Sequence, residues 1–257
     1  MWSDPGRKVC TVADDLISFE GVGFAYGATP VLTDLDVRVP ADGITAVAGP
    51  SGSGKSTLLR LANRLLLPDR GTVRHRGIDV ATIPPPTLRR RLGMVFQRPS
   101  PFPGSVRDNL AVAAPDLTDD QARRLMARVG LAADLLDREA SDLSGGQLQR
   151  MCLARALATE PESLLLDEPS TALDPAARHG IEQLARSLAE AGTPLVWVTH
   201  DLEQLRRVAD HVVLLMNGRA RMSGSVADLD AAARSDPKIA AFLAETPPEA
   251  REDADER

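Results

Sequence analysis

The chain has 257 residues, of which 43% are hydrophobic and 26% charged, a composition typical of one large globular domain or two small ones. Its formal net charge of −6 argues against nucleic-acid binding, which favours a basic surface, so no nucleic-acid partner is expected. Two cysteines form no disulfide framework, and the sequence contains neither an apolar run of about 18 residues nor a secretory signal, so a cytoplasmic protein without membrane spans is expected.

The organisation along the chain predicts one domain between two tails. Residues 1–14 are expected to be a flexible tail and 15–230 a single domain. Residues 231–257 are expected to be a C-terminal extension, and its acidic end is expected to be disordered because it is charged and poor in apolar residues. The stretch at 16–27 and the alternating LDVRV at 35–39 predict strands of an antiparallel side sheet.

The next segment predicts a phosphate-binding loop. The apolar run ITAVAG is typical of a buried parallel strand, and it leads into GPSGSGKS, which matches G-x-x-x-x-G-K-[ST]. Lys55 is expected to reach the β- and γ-phosphates of a nucleotide, and Ser56 to offer a hydroxyl to Mg²⁺. A glycine-rich turn that only joins strand to helix is the alternative, but strand, spacing, lysine and serine occur together here. The predicted nucleotide-binding residues of this loop are Gly49, Pro50, Ser51, Gly52, Ser53, Gly54, Lys55, Ser56 and Thr57.

The remaining elements alternate between helix and strand. The helix after the loop is predicted to end at Pro68 and to bury a face made of Leu58, Leu61, Ala62 and Leu65. After the strand LGMVFQ, the region at about 98–157 is predicted to be a helical subdomain inserted in the core, with a capping box at Thr118 and Gln121. Then follow the strand SLLLD, a helix opening at Asp174 and Pro175, the strand PLVWVTHD, a helix at 202–209 and a hairpin turning at Asn217 and Gly218. This order predicts an α/β fold whose parallel sheet has helices on both faces.

Polar residues follow several of the predicted buried strands. Asp167 ends SLLLD and is expected to hold Mg²⁺, and Glu168 beside it is a candidate general base for the attacking water. His200 and Gln97 also follow strands, at the edge where open α/β sheets bind ligands, so His200 is expected to reach the γ-phosphate and Gln97 to sense Mg²⁺ and the water. Taken alone, His200 is better explained as a residue that caps a strand or helix, and an ordinary polar loop residue is the alternative for Gln97. Tyr26, the single tyrosine, suits either stacking on adenine or anchoring at the surface.

The segment LSGGQLQR, at 143–150, precedes a helix-favouring run. Ser144 is expected to cap the helix, and Gly145 and Gly146 leave the backbone N–H groups of its first turn uncovered. Because a helix N-terminus carries partial positive charge, this segment predicts an anion site. From these residues alone, a capped helix start without a ligand remains the alternative.

Together these motifs resemble the nucleotide-binding subunit of ABC transporters over roughly residues 18–225. In chain order they are Tyr26 (A-loop), GPSGSGKS (Walker A), Gln97 (Q-loop), LSGGQ (signature), SLLLDE (Walker B), TALD at 171–174 (D-loop) and His200 (H-switch). The resemblance implies a P-loop NTPase (ABC ATPase) core with a parallel sheet, an antiparallel β side sheet and an inserted helical subdomain. It implies an ATP hydrolase with ATP and Mg²⁺ as cofactors. Its catalytic residues would be Glu168, His200 and Gln97, and its metal site would comprise Ser56, Gln97 and Asp167.

The resemblance also implies partners. Two ATPase subunits of this family pack head to tail, so Ser144, Gly145, Gly146 and Gln147 would bind the ATP held on the Walker A loop of the second subunit. The D-loop residue Asp174 is assigned to the same contact. A homodimer is the default, although a related second subunit would serve equally. Integral membrane permease subunits would be separate chains, and a groove beside the Q-loop would receive a short cytoplasmic helix of theirs. The protein is then expected on the cytoplasmic face of the cell membrane.

Details of the motifs bear on the cargo. The stretch at 88–110, with FQRPSPFP and DN, is similar to phosphate-importer ATPases and favours phosphate-type uptake, with a substrate-binding protein as a further partner. However, the segment between Walker A and the Q-loop is shorter than in those importers, as in ATPases of metal or other export, so export stays open. Leu148 and Thr171 replace the more usual polar residue and serine of their motifs. A soluble ABC ATPase of DNA repair, chromosome maintenance or translation, and an ATP-driven assembly scaffold, are the other classes; the first would need insertions that 257 residues do not accommodate.

Overall fold

The structure is a computed structural model that describes residues 15–170 and 173–245. The predicted tail at 1–14, Thr171 of the D-loop and the predicted acidic end beyond 245 lie outside the described residues. The strands are β1 (Asp15–Tyr26), β2 (Thr29–Pro40), β3 (Ile44–Ala48), β4 (Arg70–His75), β5 (Ile78–Asp79), β6 (Leu92–Val95), β7 (Ser163–Asp167), β8 (Leu195–Val198), β9 (His211–Met216) and β10 (Arg219–Gly224). The α-helices are α1 (Lys55–Ala62), α2 (Pro85–Arg91), α3 (Val106–Ala113), α4 (Asp119–Arg128), α5 (Gly145–Leu157), α6 (Pro175–Glu190), α7 (Leu202–Val208), α8 (Val226–Ser235) and α9 (Pro237–Glu245).

The strands form two sheets. One has four antiparallel strands in the order β2-β1-β4-β5, and the other has six in the order β10-β9-β3-β8-β7-β6. Every neighbouring pair of the six-stranded sheet is parallel except the β9–β10 hairpin. The parallel core and the antiparallel side sheet confirm the predicted fold class. The carboxyl ends of β3, β8, β7 and β6 therefore lie side by side, which is where open parallel sheets bind ligands.

The six-stranded sheet is covered on both faces. In β7, Leu164 and Leu166 pack in one core with α3 to α6, and Leu165 packs in the other, with α1 and the side sheet. This alternation follows the two-residue period of a strand, and each fully buried leucine contributes about 1.5–3 kcal/mol relative to an exposed one. The continuous apolar run in the sequence is explained by burial on both sides.

The helix after the phosphate loop ends earlier than predicted, at Ala62 rather than Pro68. Arg64 has a positive φ of 57°, and the backbone N–H groups of Leu65 and Leu66 both donate to the carbonyl oxygen of Arg60, at 2.8 and 3.0 Å. This reversal turns Leu65 out of the core, where it is 40% exposed instead of buried as expected. Apolar residues continue at helical spacing beyond the end of α1, but Leu65 contributes to the surface of the protein and not to the core.

Other local predictions are confirmed. Thr118 and Gln121 form the capping box of α4, Asp174 caps α6, and the turn between β9 and β10 has positive φ at both Asn217 and Gly218. The helices α8 and α9 were not predicted; they pack with α7 against the sheet through apolar residues such as Leu229. Within 15–170 and 173–245, no helix is both long and apolar enough to cross a bilayer.

Candidate nucleotide-binding and catalytic site

The phosphate loop links β3 to α1 with its backbone exposed toward a cavity. Gly49 has φ 146°, and a Cβ there would lie 2.0 Å from the carbonyl oxygen of Leu215, so no other residue fits without a backbone shift. Gly54 occupies the N-cap of α1 with φ 103° and supplies no side-chain cap, and the buried hydroxyl of Ser53 has no hydrogen-bond partner. Uncapped N–H groups at a helix start and an unsatisfied hydroxyl fit a bound phosphate.

Lys55 is held within this loop. Its Nζ donates to the carbonyl oxygens of Gly49, at 2.7 Å, and Pro50, at 3.0 Å. Burial lowers the pKa of Lys55, while the carboxylates of Glu168 and Asp167 oppose that shift. The ammonium group therefore lies among oxygen atoms at the start of α1, beside the cavity that the loop lines.

Ser56 and Asp167 supply oxygen ligands suited to Mg²⁺. The Ser56 hydroxyl donates to Oδ1 of Asp167 at 2.8 Å, joining the start of α1 to the end of β7. Burial raises the pKa of Asp167, and the Ser56 hydrogen bond partly offsets this. Among the residues that the structure describes, no cluster of three His, Cys, Asp or Glu side chains is arranged to hold a metal. A hydroxyl and one carboxylate fit Mg²⁺, which keeps waters and phosphate oxygens as its other ligands.

The three predicted catalytic residues meet at one oxygen atom. Oε2 of Glu168 accepts a hydrogen bond from Nε2 of Gln97 at 2.9 Å and lies 3.4 Å from Nδ1 of His200. The Glu168 side chain is 15% exposed, and its backbone adopts a positive φ of 46°, a conformation that non-glycine residues hold mainly where surrounding structure imposes it. Gln97 was predicted to end the strand LGMVFQ, but β6 ends at Val95 and Gln97 lies two residues beyond it.

These groups surround a cavity of about 610 Å³. Its lining includes Ser51, Gly52, Gly54, Lys55, Ser56, Thr57, Gln97, Glu168 and His200, together with Tyr26 and Val31. Tyr26 is 48% exposed, and its ring packs edge-on against Phe24, with ring centroids 4.9 Å apart. Val31 was not predicted as a site residue, because its position across the turn from Tyr26 becomes evident only once β1 and β2 pair.

The signature segment lies at a different place. Ser144 caps α5: its Oγ accepts from the Gln147 N–H at 3.3 Å, and Oε1 of Gln147 accepts from the Ser144 N–H at 3.0 Å. Ser144, Gly145, Gly146, Gln147 and Asp174 line a second cavity of about 570 Å³, and none of its lining residues lines the first. The structure does not bring the signature to the Walker A loop within one chain.

Arg150 is a residue of this second cavity to which the sequence analysis assigned no role. Its Nη1 donates to the carbonyl oxygen of Val129 at 2.8 Å, which ties α5 to the end of α4. A signal was available, because Arg150 follows Gln147 by three residues and therefore shares its helix face.

Comparisons with known proteins agree with this geometry. The family model described as ABC transporter matches residues 32–171, which is more than half of the chain. The phosphate import ATP-binding protein PstB 1 of Vibrio parahaemolyticus is 41% identical over 240 residues, covering 84% of this chain and 86% of the relative. The protein of the same name from Vibrio cholerae is 40% identical over 225 residues, covering 79% and 80%.

A solved structure supports the same assignment. It is cbiO1 of Clostridium perfringens, described as part of the ABC transporter complex cbiONQ; it matches with a TM-score of 0.76 and 27% identity, over 90% of this chain and 99% of that one. The family match, the PstB relatives and the shared architecture agree with the Walker loop and the carboxylates found at the strand ends. The chain therefore belongs to the ABC transporter family, as an ATP-binding and ATP-hydrolysing subunit.

Proposed function

We propose that this subunit hydrolyses MgATP in the cavity between the Walker A loop and Glu168. The observation that carries this proposal is the convergence of Gln97 and His200 on the same Glu168 oxygen, beside the phosphate loop. The Glu168 carboxylate accepts a proton from the attacking water as the water oxygen bonds to the γ-phosphorus and the bond to the β–γ bridging oxygen breaks. His200 would contact the γ-phosphate.

Mg²⁺ would be held by Ser56 and Asp167, with Gln97 beside it, and would neutralise charge on the phosphate oxygens. Lys55 would add a second positive charge beside the phosphates. Because the protein anchors both Lys55 and the residues that would hold Mg²⁺, the two charges would favour the charge distribution of the transition state without reorganising.

The adenine is proposed to stack on Tyr26, and this role can be tested separately from catalysis. Tyr26→Ala should raise the KM for ATP by about 3- to 10-fold while kcat at saturating ATP stays close to wild type, because an aromatic contact is lost far from the reacting atoms. Steady-state ATPase assays measure both parameters. Tyr26→Phe is the matched control, since it keeps the ring and should behave as wild type. A large fall in kcat for Tyr26→Ala would contradict a role in stacking.

We propose that a second ATPase subunit completes each nucleotide site. The two cavities of one chain share no lining residue, whereas Ser144, Gly145 and Gly146 present an N-terminal helix turn suited to phosphate. A head-to-tail dimer would place this turn on the γ-phosphate held by the partner. ATP would then close the dimer, and hydrolysis would release it. A copy of this chain is the simplest partner by symmetry.

We further propose that membrane permease subunits dock in a groove beside Gln97, with the protein on the cytoplasmic face of the membrane. The groove encloses about 520 Å³. Three of its lining residues are large exposed apolar side chains: Leu65, Phe96 and Phe102 are 40%, 44% and 47% exposed. An apolar channel rimmed by polar residues suits the apolar face of a short helix.

The wall of this groove is rigidly built. The Asn109 side chain, which is fully buried, accepts from the Phe102 N–H at 2.8 Å and donates to the Phe102 carbonyl oxygen at 3.0 Å. Arg155 donates to Asn109 at 3.0 Å and to the Ser100 carbonyl oxygen at 3.0 Å, and its guanidinium lies 4.7 Å from the Phe102 ring centroid. Arg155 lies on α5, and the signature residues form the first turn of the same helix. The wall of the groove is therefore connected to the signature through α5.

Phosphate-type uptake is the transport function that the relatives favour. Two phosphate import ATP-binding proteins share about two fifths of their residues with most of this chain. A phosphate importer would include a substrate-binding protein as a further partner. Because the ATPase subunit does not contact the cargo in this scheme, phosphate uptake by cells lacking the subunit is the direct test.

An affinity pull-down tests the transporter assignment. Tagged wild-type chain, recovered from detergent-solubilised membranes of its own host, should bring down a protein with several membrane spans, identified by mass spectrometry. Leu65→Asp should lose that protein, because a carboxylate would be buried against an apolar helix. Ile78→Asp, an exposed apolar position on the side sheet that is 50% exposed, is the matched control and should retain it. Recovery of soluble partners alone would favour the assembly-scaffold hypothesis and contradict the transport role.

A further inference from the structure

A buried amide at the start of α7 has every hydrogen-bonding position filled. The Gln204 side chain is almost completely buried, in a residue 3% exposed. Its Oε1 accepts from Nε1 of Trp197 at 3.1 Å and from Oγ1 of Thr199 at 2.9 Å. Its Nε2 donates to Oγ of Ser170 at 2.8 Å and to Oε1 of Glu182 at 2.9 Å. Two donors and two acceptor positions are all that a glutamine amide has, so the network is complete.

The partners also fix the orientation of this amide. The Trp197 indole N–H can only donate, and an ionised Glu182 carboxylate can only accept, so exchanging the oxygen and nitrogen of Gln204 would break both contacts. Glu182 is in turn paired with Arg207, at 3.0 and 3.1 Å. The carboxylate therefore has a fixed place and charge beside the amide.

The network reaches two segments that carry proposed catalytic groups. Thr199 directly precedes His200, and its Oγ1 also accepts from the Asp201 N–H at 3.0 Å. The Asp201 side chain accepts from the Gln204 backbone N–H at 2.9 Å, so the backbone is tied on both sides of His200. Ser170 lies two residues after Glu168. The Gln204 amide thus connects the loop that carries His200 to the loop that carries Glu168, and the side chains of these two residues meet at Oε2 of Glu168.

We propose that Gln204 is a positioning residue for ATP hydrolysis, which holds the His200 loop and the Glu168 loop at a fixed separation. Gln204 does not line the nucleotide cavity, so it acts through Thr199 and Ser170 rather than by touching the substrate. The inference rests on the proposed roles of Glu168 and His200. Misplacing either group by about an ångström lowers turnover steeply and leaves ground-state binding less affected.

Gln204→Glu distinguishes positioning from general structural support, because it keeps the shape and replaces the two N–H donors of the amide with a carboxyl, which has one O–H donor when protonated and none when ionised. The Ser170 hydroxyl, which accepts from the amide, can turn to donate to that carboxyl instead. The introduced carboxyl lies beside Glu182, and both burial and that neighbouring charge raise its pKa. The other titratable and charged groups around it are His179 and Arg178 from α6, Asp201 at the N-cap of α7, and Glu203 and Arg207 from α7. Below its raised pKa the carboxyl is protonated and donates to Glu182 as the amide does. As pH rises through that pKa it ionises and repels Glu182, which pushes the network apart.

The measurement is kcat and KM for MgATP with the full chain, each divided by the wild-type value at the same pH. At about pH 9, Gln204→Glu should lower kcat by about 10- to 100-fold, and at about pH 6 the deficit should shrink to about threefold, with relative KM nearly constant. The double variant Gln204→Glu with Glu182→Gln restores a carboxylate–amide pair and should recover most of the kcat at the higher pH. Gln183→Glu, an exposed neighbour on α6, is the matched control and should show no pH-dependent deficit.

The outcomes are separable. A deficit that is equal at all pH values and unrelieved in the double variant would indicate only structural support and would overturn the proposal, as would wild-type kcat at every pH. Gln204→Leu removes all four contacts, so a folded form of it with wild-type turnover would overturn the proposal as well. If Glu168→Gln and His200→Ala also leave turnover intact, the proposed catalytic site itself is wrong, and the failure lies there instead of with Gln204.

Discussion

Glu168→Gln is expected to bind MgATP normally and to hydrolyse it about 10²- to 10⁴-fold more slowly than the wild type, because the amide cannot accept the proton of the attacking water. The amide keeps the size of the side chain, and the Walker A loop is untouched, so nucleotide affinity should be preserved. With the γ-phosphate retained, the proposed head-to-tail dimer should persist. Phosphate-release assays measure the turnover, and size-exclusion chromatography with and without ATP measures the assembly.

Glu190→Gln is the matched control for this experiment, since Glu190 is an exposed carboxylate at the end of α6. It should leave both turnover and assembly as in the wild type. If Glu168→Gln instead remained monomeric with and without ATP and turned over at the wild-type rate, the assignment of the base and of the dimer would both be contradicted.

Lys55→Ala is expected to weaken ATP binding by about 10- to 100-fold, because hydrogen bonds from a charged donor to phosphate contribute about 1.5–3 kcal/mol. The variant also removes the two bonds from Nζ to the Gly49 and Pro50 carbonyl oxygens, which leaves the loop less well ordered for the phosphates. Isothermal titration calorimetry with MgATP gives the dissociation constant directly. Unchanged affinity would show that GPSGSGKS is not the phosphate loop.

The chain offers a clean control for the lysine as well. Lys238, on α9, is exposed and lies outside the nucleotide cavity, so Lys238→Ala should bind ATP as the wild type does. Thermal denaturation of both variants checks that a change in affinity reflects the site rather than the stability of the domain.

The features predicted best from the sequence are those that neighbouring residues determine together. The eight residues GPSGSGKS specify both a glycine-rich turn and the start of a helix. The five residues SLLLD are enough to predict that Asp167 lies at the end of a strand. Such local patterns specify backbone geometry directly. The capping box of Thr118 and Gln121 belongs to the same class, because its partners lie three residues apart.

The features that were missed depend on distant contacts. The early end of α1 is supported by Arg89, whose Nη2 donates to the Arg64 carbonyl oxygen at 2.8 Å from 25 positions away. The role of Gln204 requires Ser170 and Glu182, which lie 34 and 22 positions earlier in the chain. A helix pattern contains no information about such partners, because tertiary packing overrides local periodicity. The helices α8 and α9 were missed although Ser225 and Asp228 form a capping box at the start of α8; both helices pack against α7 and the sheet.

The order of the parallel strands has a consequence for how the family can vary. The phosphate loop, His200, Glu168 and Gln97 follow β3, β8, β7 and β6, which are successive neighbours in the sheet. The distance between these residues is therefore set by the interstrand distance of about 4.8 Å and not by the length of the segments that connect the strands. Insertions between β6 and β7 or between β7 and β8 can reshape the surface that partners contact without changing the spacing of the strand ends. A slip of one residue in the register of β7 would instead turn Glu168 to the opposite face and remove the proposed general base from the cavity.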